Sequence, residues 1–176
     1  DPVPLAGSQT GCSGDAVLAN GTCGYEFNLP ATDVDGDAIT VAFRNGSGAQ
    51  FPCTDVCDAA AMHALFERHR IDACVHFAAL KAVGESTQMP LEYYGNNLGG
   101  LVTVCQAMRA HGVKRFVFSS SATVYGDPHA LPIREDFPLS ATNPYGQTKL
   151  MGETMLRDLG AADAAWQTGC LRYFNP

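Results

Sequence analysis

Tyr145 and Lys149 stand four residues apart in a segment with helical signals from Pro144 to about residue 159. Because positions four apart share one face of a helix, the phenol and the ammonium would point into the same cleft. A free tyrosine has a pKa of about 10, and a nearby ammonium favours the phenolate. The spacing therefore predicts a tyrosine that accepts a proton as a general base near neutral pH.

A run of three serines, Ser119 to Ser121, ends a predicted strand that begins near residue 114, and Thr123 follows. Hydroxyl groups at the end of a strand can hydrogen-bond the oxygen from which a base takes a proton. Each pattern alone is more typical of a residue set without catalytic function. For the Tyr/Lys pair this would be an exposed helix face, and for the serines a simple cap. The combination favours a catalytic site.

The elements that must position these residues alternate between helix and strand from Asp58 onward. Asp58 is a suitable N-cap. Pro90 begins a helix that continues to Gly112, and its inward face is predicted to be Tyr93, Asn97, Leu101, Val104, Cys105 and Met108. Predicted strands cover residues 71–78, 114–118 and 168–174. This order predicts an α/β fold with a doubly wound, Rossmann-like parallel sheet, incomplete at both ends, with ligands at the carboxyl ends of the strands.

Composition narrows the class of protein. The chain has 176 residues, a formal net charge of −7 and 46% hydrophobic residues. No apolar run approaches the ~18 residues of a membrane span, and clustered basic residues that would bind nucleic acid are missing, so neither partner is expected. Three of the seven cysteines, Cys74, Cys105 and Cys170, lie in apolar runs, which predicts buried reduced thiols. The first residues show no basic region followed by an apolar core, so a cytoplasmic location is expected. Cys53 and Cys57 lack further ligands, so no metal site is expected.

Residues 1–50 differ from the rest of the chain. They are rich in Gly, Asp, Asn and Thr and contain one plausible strand at residues 38–43. Gly11 and Gly14 have the spacing of a dinucleotide-binding glycine turn, but Val17 stands at the third glycine position. We therefore expect a divergent or foreign N-terminal segment that holds a cofactor phosphate weakly.

Five segments together resemble the extended short-chain dehydrogenases that act on nucleotide sugars, and most closely the UDP-hexose 4-epimerases. They are residues 77–86 (FAALKAVGES), 90–97 (PLEYYGNN), 119–126 (SSSATVYG), 143–149 (NPYGQTK) and 171–176 (LRYFNP). Ala122 and Val124 flank Thr123, where related dehydratases carry an acidic pair, so dehydration is disfavoured. The resemblance covers residues 51–176.

The resemblance implies a role for each matching position. Tyr145 would be the base, Lys149 its electrostatic partner and a ribose ligand, Ser121 the hydroxyl that orients the sugar, and Thr123 an assisting group. Tyr145, Ser121 and Asn175 would contact the substrate. The implied NAD contacts, besides Tyr145 and Lys149, are Asp55, Val56, Phe77, Ala78, Ala79, Leu80, Lys81, Asn97, Ser119 and Phe174.

The implied activity is NAD-dependent epimerisation at C4 of a UDP-hexose, UDP-glucose or UDP-galactose, through a 4-keto intermediate, by a cytoplasmic homodimer. The resemblance also implies a substrate domain beyond Pro176, so the chain is expected to be a fragment whose residues 51–176 form a partial NAD-binding core. Two alternatives remain open: a UDP-glucuronate 4-epimerase, and a catalytically silent remnant or interaction module of the same fold.

Overall fold

A computed structural model describes residues 55–174, together with the backbone of two short strands, β1 (Ala31–Thr32) and β2 (Ala38–Ile39). The chain divides into two compact units, Asp1–Asp55 and Val56–Pro176. In the first unit β1 and β2 pair antiparallel, with Ala31 opposite Ile39. The predicted strand at residues 38–43 begins with β2, and its remaining residues lie outside the described part, as do Gly11, Gly14 and Val17.

The second unit contains a parallel sheet. Its strands are β3 (Cys74–His76), β4 (Arg115–Ser121) and β5 (Gln167–Tyr173), in the order β3-β4-β5. Both pairs are parallel, so all three strands end at the same edge of the sheet. The predicted α/β class and parallel sheet are confirmed. β3 is shorter than the predicted strand at residues 71–78 because only Cys74 to His76 pair with β4.

Two helices flank β3 along the chain. Helix α1 (Ala59–Arg68) begins as predicted: Asp58 Oδ1 accepts a hydrogen bond from Ala61 N at 3.0 Å. Helix α2 (Val83–Gln88) was not predicted. Six residues are too short a stretch for apolar periodicity to reveal, and this helix buries only Ser86, whose Oγ donates to Val83 O at 2.6 Å.

The long helix from Pro90 changes its winding twice. It consists of α3 (Pro90–Tyr93), a π-helical turn (Tyr94–Gly99) and α4 (Gly100–Ala110). The predicted inward face is confirmed. Its buried members are Tyr93, Asn97, Leu101, Val104, Cys105 and Met108. The π-helical turn was not predicted, and such turns occur often at functional sites.

Helix α5 (Pro144–Ala162) carries the Tyr/Lys pair. Asn143 caps it, with Oδ1 accepting from Gly146 N at 2.8 Å. The helix lies very close to the sheet at Gly152, where an added Cβ would stand 2.8 Å from Cζ of Phe118. No helix in residues 55–174 is long and apolar enough to span a membrane.

The core of the second unit lies between the sheet and helices α1, α4 and α5, and the described cysteines only partly follow the prediction. All four of them are free thiols. Cys105 is buried and Cys74 is half-buried, whereas Cys170 is exposed. The prediction that Cys170 is buried was wrong, because β5 leaves most of its residues exposed.

Candidate active site

The Tyr145, Lys149 and Ser121 side chains meet at the carboxyl end of β4. The Lys149 ammonium donates a hydrogen bond to the Ser119 carbonyl at 2.8 Å and lies 5.8 Å from the centre of the Tyr145 ring. Ser121 lies close enough to the Tyr145 phenol to favour its ionised form. The sequence prediction that these three groups occupy one site is therefore supported by their geometry.

The electrostatics differ from the expectation drawn from spacing. Burial raises the pKa of Tyr145 above its ordinary value, and the hydrogen bond with Ser121 acts in the opposite direction. Burial also lowers the pKa of Lys149 to about 8. The expected lowering of the Tyr145 pKa by its ammonium neighbour is not found, because desolvation of the phenolate outweighs the other effects.

Thr123 belongs to the same cluster. Ser121 caps a 3-10 helical turn, Ala122–Tyr125. Its Oγ accepts hydrogen bonds from Thr123 N at 3.2 Å and from Thr123 Oγ1 at 3.0 Å. All four residues expected to be catalytic thus lie together, with Thr123 holding the Ser121 hydroxyl in place.

Asn97, expected to lie below the cofactor, organises the loop after β3. Its Oδ1 accepts from Leu80 N at 2.8 Å, and its Nδ2 donates to Leu80 O at 3.0 Å and to Thr148 Oγ1 at 3.1 Å. Thr148 Oγ1 in turn donates to the Tyr145 carbonyl at 2.7 Å. One buried amide in the π-helical turn therefore joins the loop after β3 to the first turn of α5.

The other residues expected near a cofactor have varied surroundings. Phe77 lies 6.4 Å from Tyr173 between ring centres, and Phe174 lies 6.3 Å from Tyr125. Phe174 is 57% exposed, so it does not pack in the core. Ala78, Ala79 and Leu80 are half-buried in the loop after β3, whereas Lys81 is exposed.

Three further residues were expected to contact a cofactor or substrate, namely Asp55, Val56 and Asn175. Asp55 is exposed, and Val56 packs against the core. Asn175 lies outside the described residues. Within residues 55–174, no group of three or more His, Cys, Asp or Glu side chains could hold a metal ion.

Sequence reasoning missed His76, which is 4% exposed at the end of β3. Its ring lies 5.8 Å from that of Phe116 and 6.1 Å from that of Phe118. Burial, assisted by the charge of Lys149, lowers the pKa of His76 to about 4. The sequence carried no signal beyond one polar residue in an apolar strand.

A buried acidic residue was also missed. Glu153 is 4% exposed and accepts hydrogen bonds from Ser120 Oγ at 2.5 Å and from Arg172 Nε at 2.9 Å. Arg172 Nη2 lies 2.7 Å from Glu153 Oε2, and Arg172 Nη1 donates to the Tyr125 hydroxyl at 2.7 Å. The sequence signal was available, because Glu153 follows Lys149 by four residues and so continues its face of the helix.

Comparison with known protein families assigns the chain to a family. The family model described as the NAD dependent epimerase/dehydratase family matches residues 22–176. The chain belongs to this family.

Curated relatives give a finer comparison. The chain is 57% identical over 131 residues to a UDP-glucose 4-epimerase of Bacillus subtilis, covering 74% of this chain and 39% of the relative. It is 54% identical over 132 residues to the UDP-glucose 4-epimerase of Mus musculus, covering 74% and 38%. The chain thus spans about two fifths of the length of these relatives.

Solved structures of 4-epimerases also resemble this chain. A UDP-glucose 4-epimerase from Bifidobacterium longum, in complex with NAD+ and UDP, matches with a TM-score of 0.69 and 50% identity over 72% of this chain and 38% of that one. The UDP-Glc/GlcNAc 4-epimerase from Campylobacter jejuni matches with a TM-score of 0.70 and 43% identity, covering 73% and 39%.

Proposed function

We propose that the protein containing this chain epimerises a UDP-hexose at C4 with NAD as cofactor, interconverting UDP-glucose and UDP-galactose, and that residues 51–176 form its catalytic core. The observation that carries the proposal is the convergence of Tyr145, Ser121 and Lys149 at the carboxyl end of β4. Ligands of doubly wound folds bind at that edge. The identity to UDP-glucose 4-epimerases supports the choice of reaction.

The donor groups present fit NAD. The Lys149 ammonium has three N–H donors, of which the Ser119 carbonyl takes one, and the Tyr145 hydroxyl lies on the same helix face. This pair suits the two neighbouring hydroxyls of a ribose. The relative from Bifidobacterium longum was solved with NAD+ and UDP, which supports the same ligands here.

In the proposed reaction Tyr145 Oη takes the proton of the C4 hydroxyl. Bound NAD would supply the hydride acceptor at C4 and a positive charge that favours the phenolate. Ser121 Oγ, held by Thr123, orients the C4 oxygen and hydrogen-bonds Tyr145. After the 4-keto sugar turns over, Tyr145 Oη returns the proton to the C4 oxygen, and C4 would recover its hydride from the bound cofactor on the opposite face.

The test is conversion of UDP-galactose to UDP-glucose by the full-length protein with added NAD. We expect conversion in both directions and reduced or no turnover with UDP-glucuronate. Failure to convert either hexose, in a preparation that binds NAD by calorimetry, would contradict the proposed reaction. Failure to bind NAD would contradict the proposed cofactor.

We also propose a cytoplasmic homodimer, in which the helices at residues 90–111 and 144–159 pair across a two-fold axis. Large apolar side chains on these helices are exposed: Leu91 is 80%, Val102 39% and Met151 47% exposed. Burying such surface is the usual reason for association. Sedimentation of the full-length protein at micromolar concentration should show a dimer, and a monomer alone would contradict the pairing.

A further inference from the structure

Glu153 joins four elements around the proposed site. It lies on α5 two helical turns beyond Tyr145. Its carboxylate accepts hydrogen bonds from Ser120 of β4 and from Arg172 of β5. Arg172 reaches on to the hydroxyl of Tyr125, the last residue of the 3-10 helical turn that Ser121 caps. The guanidinium carbon also lies 4.9 Å from the centre of the Tyr125 ring.

This arrangement fixes the position of Tyr145 relative to Ser121. Tyr145 is carried by α5, whereas Ser121 is carried by β4 and the turn that follows it. Glu153 fixes α5 to Ser120, the neighbour of Ser121, and through Arg172 it fixes the far end of the same turn at Tyr125. The Ser121 hydroxyl acts on the Tyr145 phenol across the space between α5 and this turn.

We propose that Glu153 and Arg172 are positioning residues, which set the placement of the Ser121 hydroxyl against the Tyr145 phenol through Ser120 and Tyr125. The inference rests on the proposed function. We call the hydrogen-bonded set of Glu153, Ser120, Arg172 and Tyr125 the clamp. The Glu153 carboxylate accepts three hydrogen bonds from two strands, so its position relative to both strands is rigidly fixed. Displacements of about 1 Å at reacting groups cost up to about 10²-fold in rate, so a rigid clamp has a catalytic effect.

The clamp makes a second prediction that needs no turnover. The Ser121 hydrogen bond lowers the pKa of Tyr145, so loosening it should raise that pKa further. The titratable groups around the phenol are Lys149 on α5, Tyr93 on α3 with its partner Glu85 on α2, and His76 beside Lys149 on β3. None of these is changed in the variants below.

The experiment compares Glu153→Gln and Ser120→Ala with Lys114→Gln in the full-length protein. Lys114, directly before β4, pairs at 2.7 Å with Asp163, the residue that caps the C-terminal end of α5. For the two clamp variants we expect kcat to fall at least 10-fold with KM within about twofold, because the rate depends on alignment. Absorbance titration of tyrosine, corrected by subtracting Tyr145→Phe, should show a raised Tyr145 pKa. Lys114→Gln should change neither.

Ser120→Ala removes one hydrogen bond and no charge. An effect of this variant therefore comes from changed alignment and not from a lost charge, and it can be measured even if Glu153→Gln misfolds. Losing the Glu153 charge alone would lower the Tyr145 pKa, opposite to the effect of a loosened clamp. An unchanged kcat and Tyr145 titration in both folded clamp variants would overturn the inference. Wild-type protein without epimerase activity would instead overturn the proposed function, and the titration would still decide the clamp.

Discussion

Asn97 binds both backbone groups of Leu80 across 17 positions of sequence, accepting from its N–H at 2.8 Å and donating to its carbonyl at 3.0 Å. The loop that follows β3 is thereby fixed by a side chain from a helix. Because Asn97 also reaches Thr148, this loop and the start of α5 share one anchor.

Replacing Asn97 by Leu should lower the free energy of unfolding by about 1–3 kcal/mol, because Leu80 and Thr148 lose their partners in a buried place. Urea denaturation measures the change. Asn96→Ala is the matched control, since the half-buried Asn96 side chain donates to Asn97 Oδ1 at 2.9 Å and, in the described hydrogen bonds, to neither Leu80 nor Thr148. Equal losses of unfolding free energy in the two variants would show that the hydrogen bonds between Asn97 and Leu80 do not contribute to stability.

Replacing Tyr145 by Phe removes the proposed proton acceptor and keeps the ring. Turnover of the full-length protein should fall by about 10²–10⁴-fold, the usual contribution of a positioned acid/base group. The thermal midpoint should hardly move, since phenylalanine keeps the packing of the ring. A variant that keeps more than half the activity would place the base elsewhere.

Replacing Lys149 by Met should slow turnover and yet stabilise the fold at neutral pH. The folded chain holds the Lys149 proton with a pKa of about 8, against an ordinary value of 10.5. Between these values the unfolded chain binds more protons, so the stability of the wild type rises with pH through that window. Below it the wild type carries the full cost of the buried charge.

Lys149→Met should therefore be more stable by about 1–3 kcal/mol at pH 7, and the difference should fade as pH rises above 8. Chemical denaturation at a series of pH values measures this. Turnover should slow, because the variant loses the ammonium proposed to hold the ribose. A stability difference that does not depend on pH would contradict the burial of the ammonium.

His76 should make the fold sensitive to acid. Its pKa is about 4 in the folded chain and 6.5 ordinarily, so the unfolded chain binds more protons between these values. Stability should fall as pH drops from 6.5 to 4, by about 2–3 kcal/mol from this group. His76→Gln should flatten that part of the curve. His129→Gln, which removes an exposed ring stacked on Phe137 at 4.3 Å, is the control.

The sequence predicted the parts of the fold that repeat and the parts of the site that match known motifs. The helix at α5 and the inward face from Tyr93 to Met108 follow from regular spacing, and Tyr145, Lys149 and Ser121 stood in recognisable segments. Spacing predicted neither the π-helical turn nor α2, because each is about as short as one or two helical turns.

The electrostatics of the site were beyond sequence reasoning. The spacing of Tyr145 and Lys149 predicted a lowered phenol pKa, but the outcome depends on how deeply both groups are buried. The partnership of Glu153 with Arg172 likewise joins residues 19 positions apart on different elements. Such pairings follow from the packing of α5 on the sheet, which local patterns do not encode.

Gly152 sets the height at which α5 rests on the sheet, since a side chain there would meet Phe118 and Leu101. The position touches no group of the proposed site, yet Lys149 and Glu153 flank it on the same helix. Any enlargement would lift both from their partners on β4 together. A mutational screen scored by activity should therefore find position 152 as intolerant as the catalytic positions themselves, and would misassign it as a ligand contact.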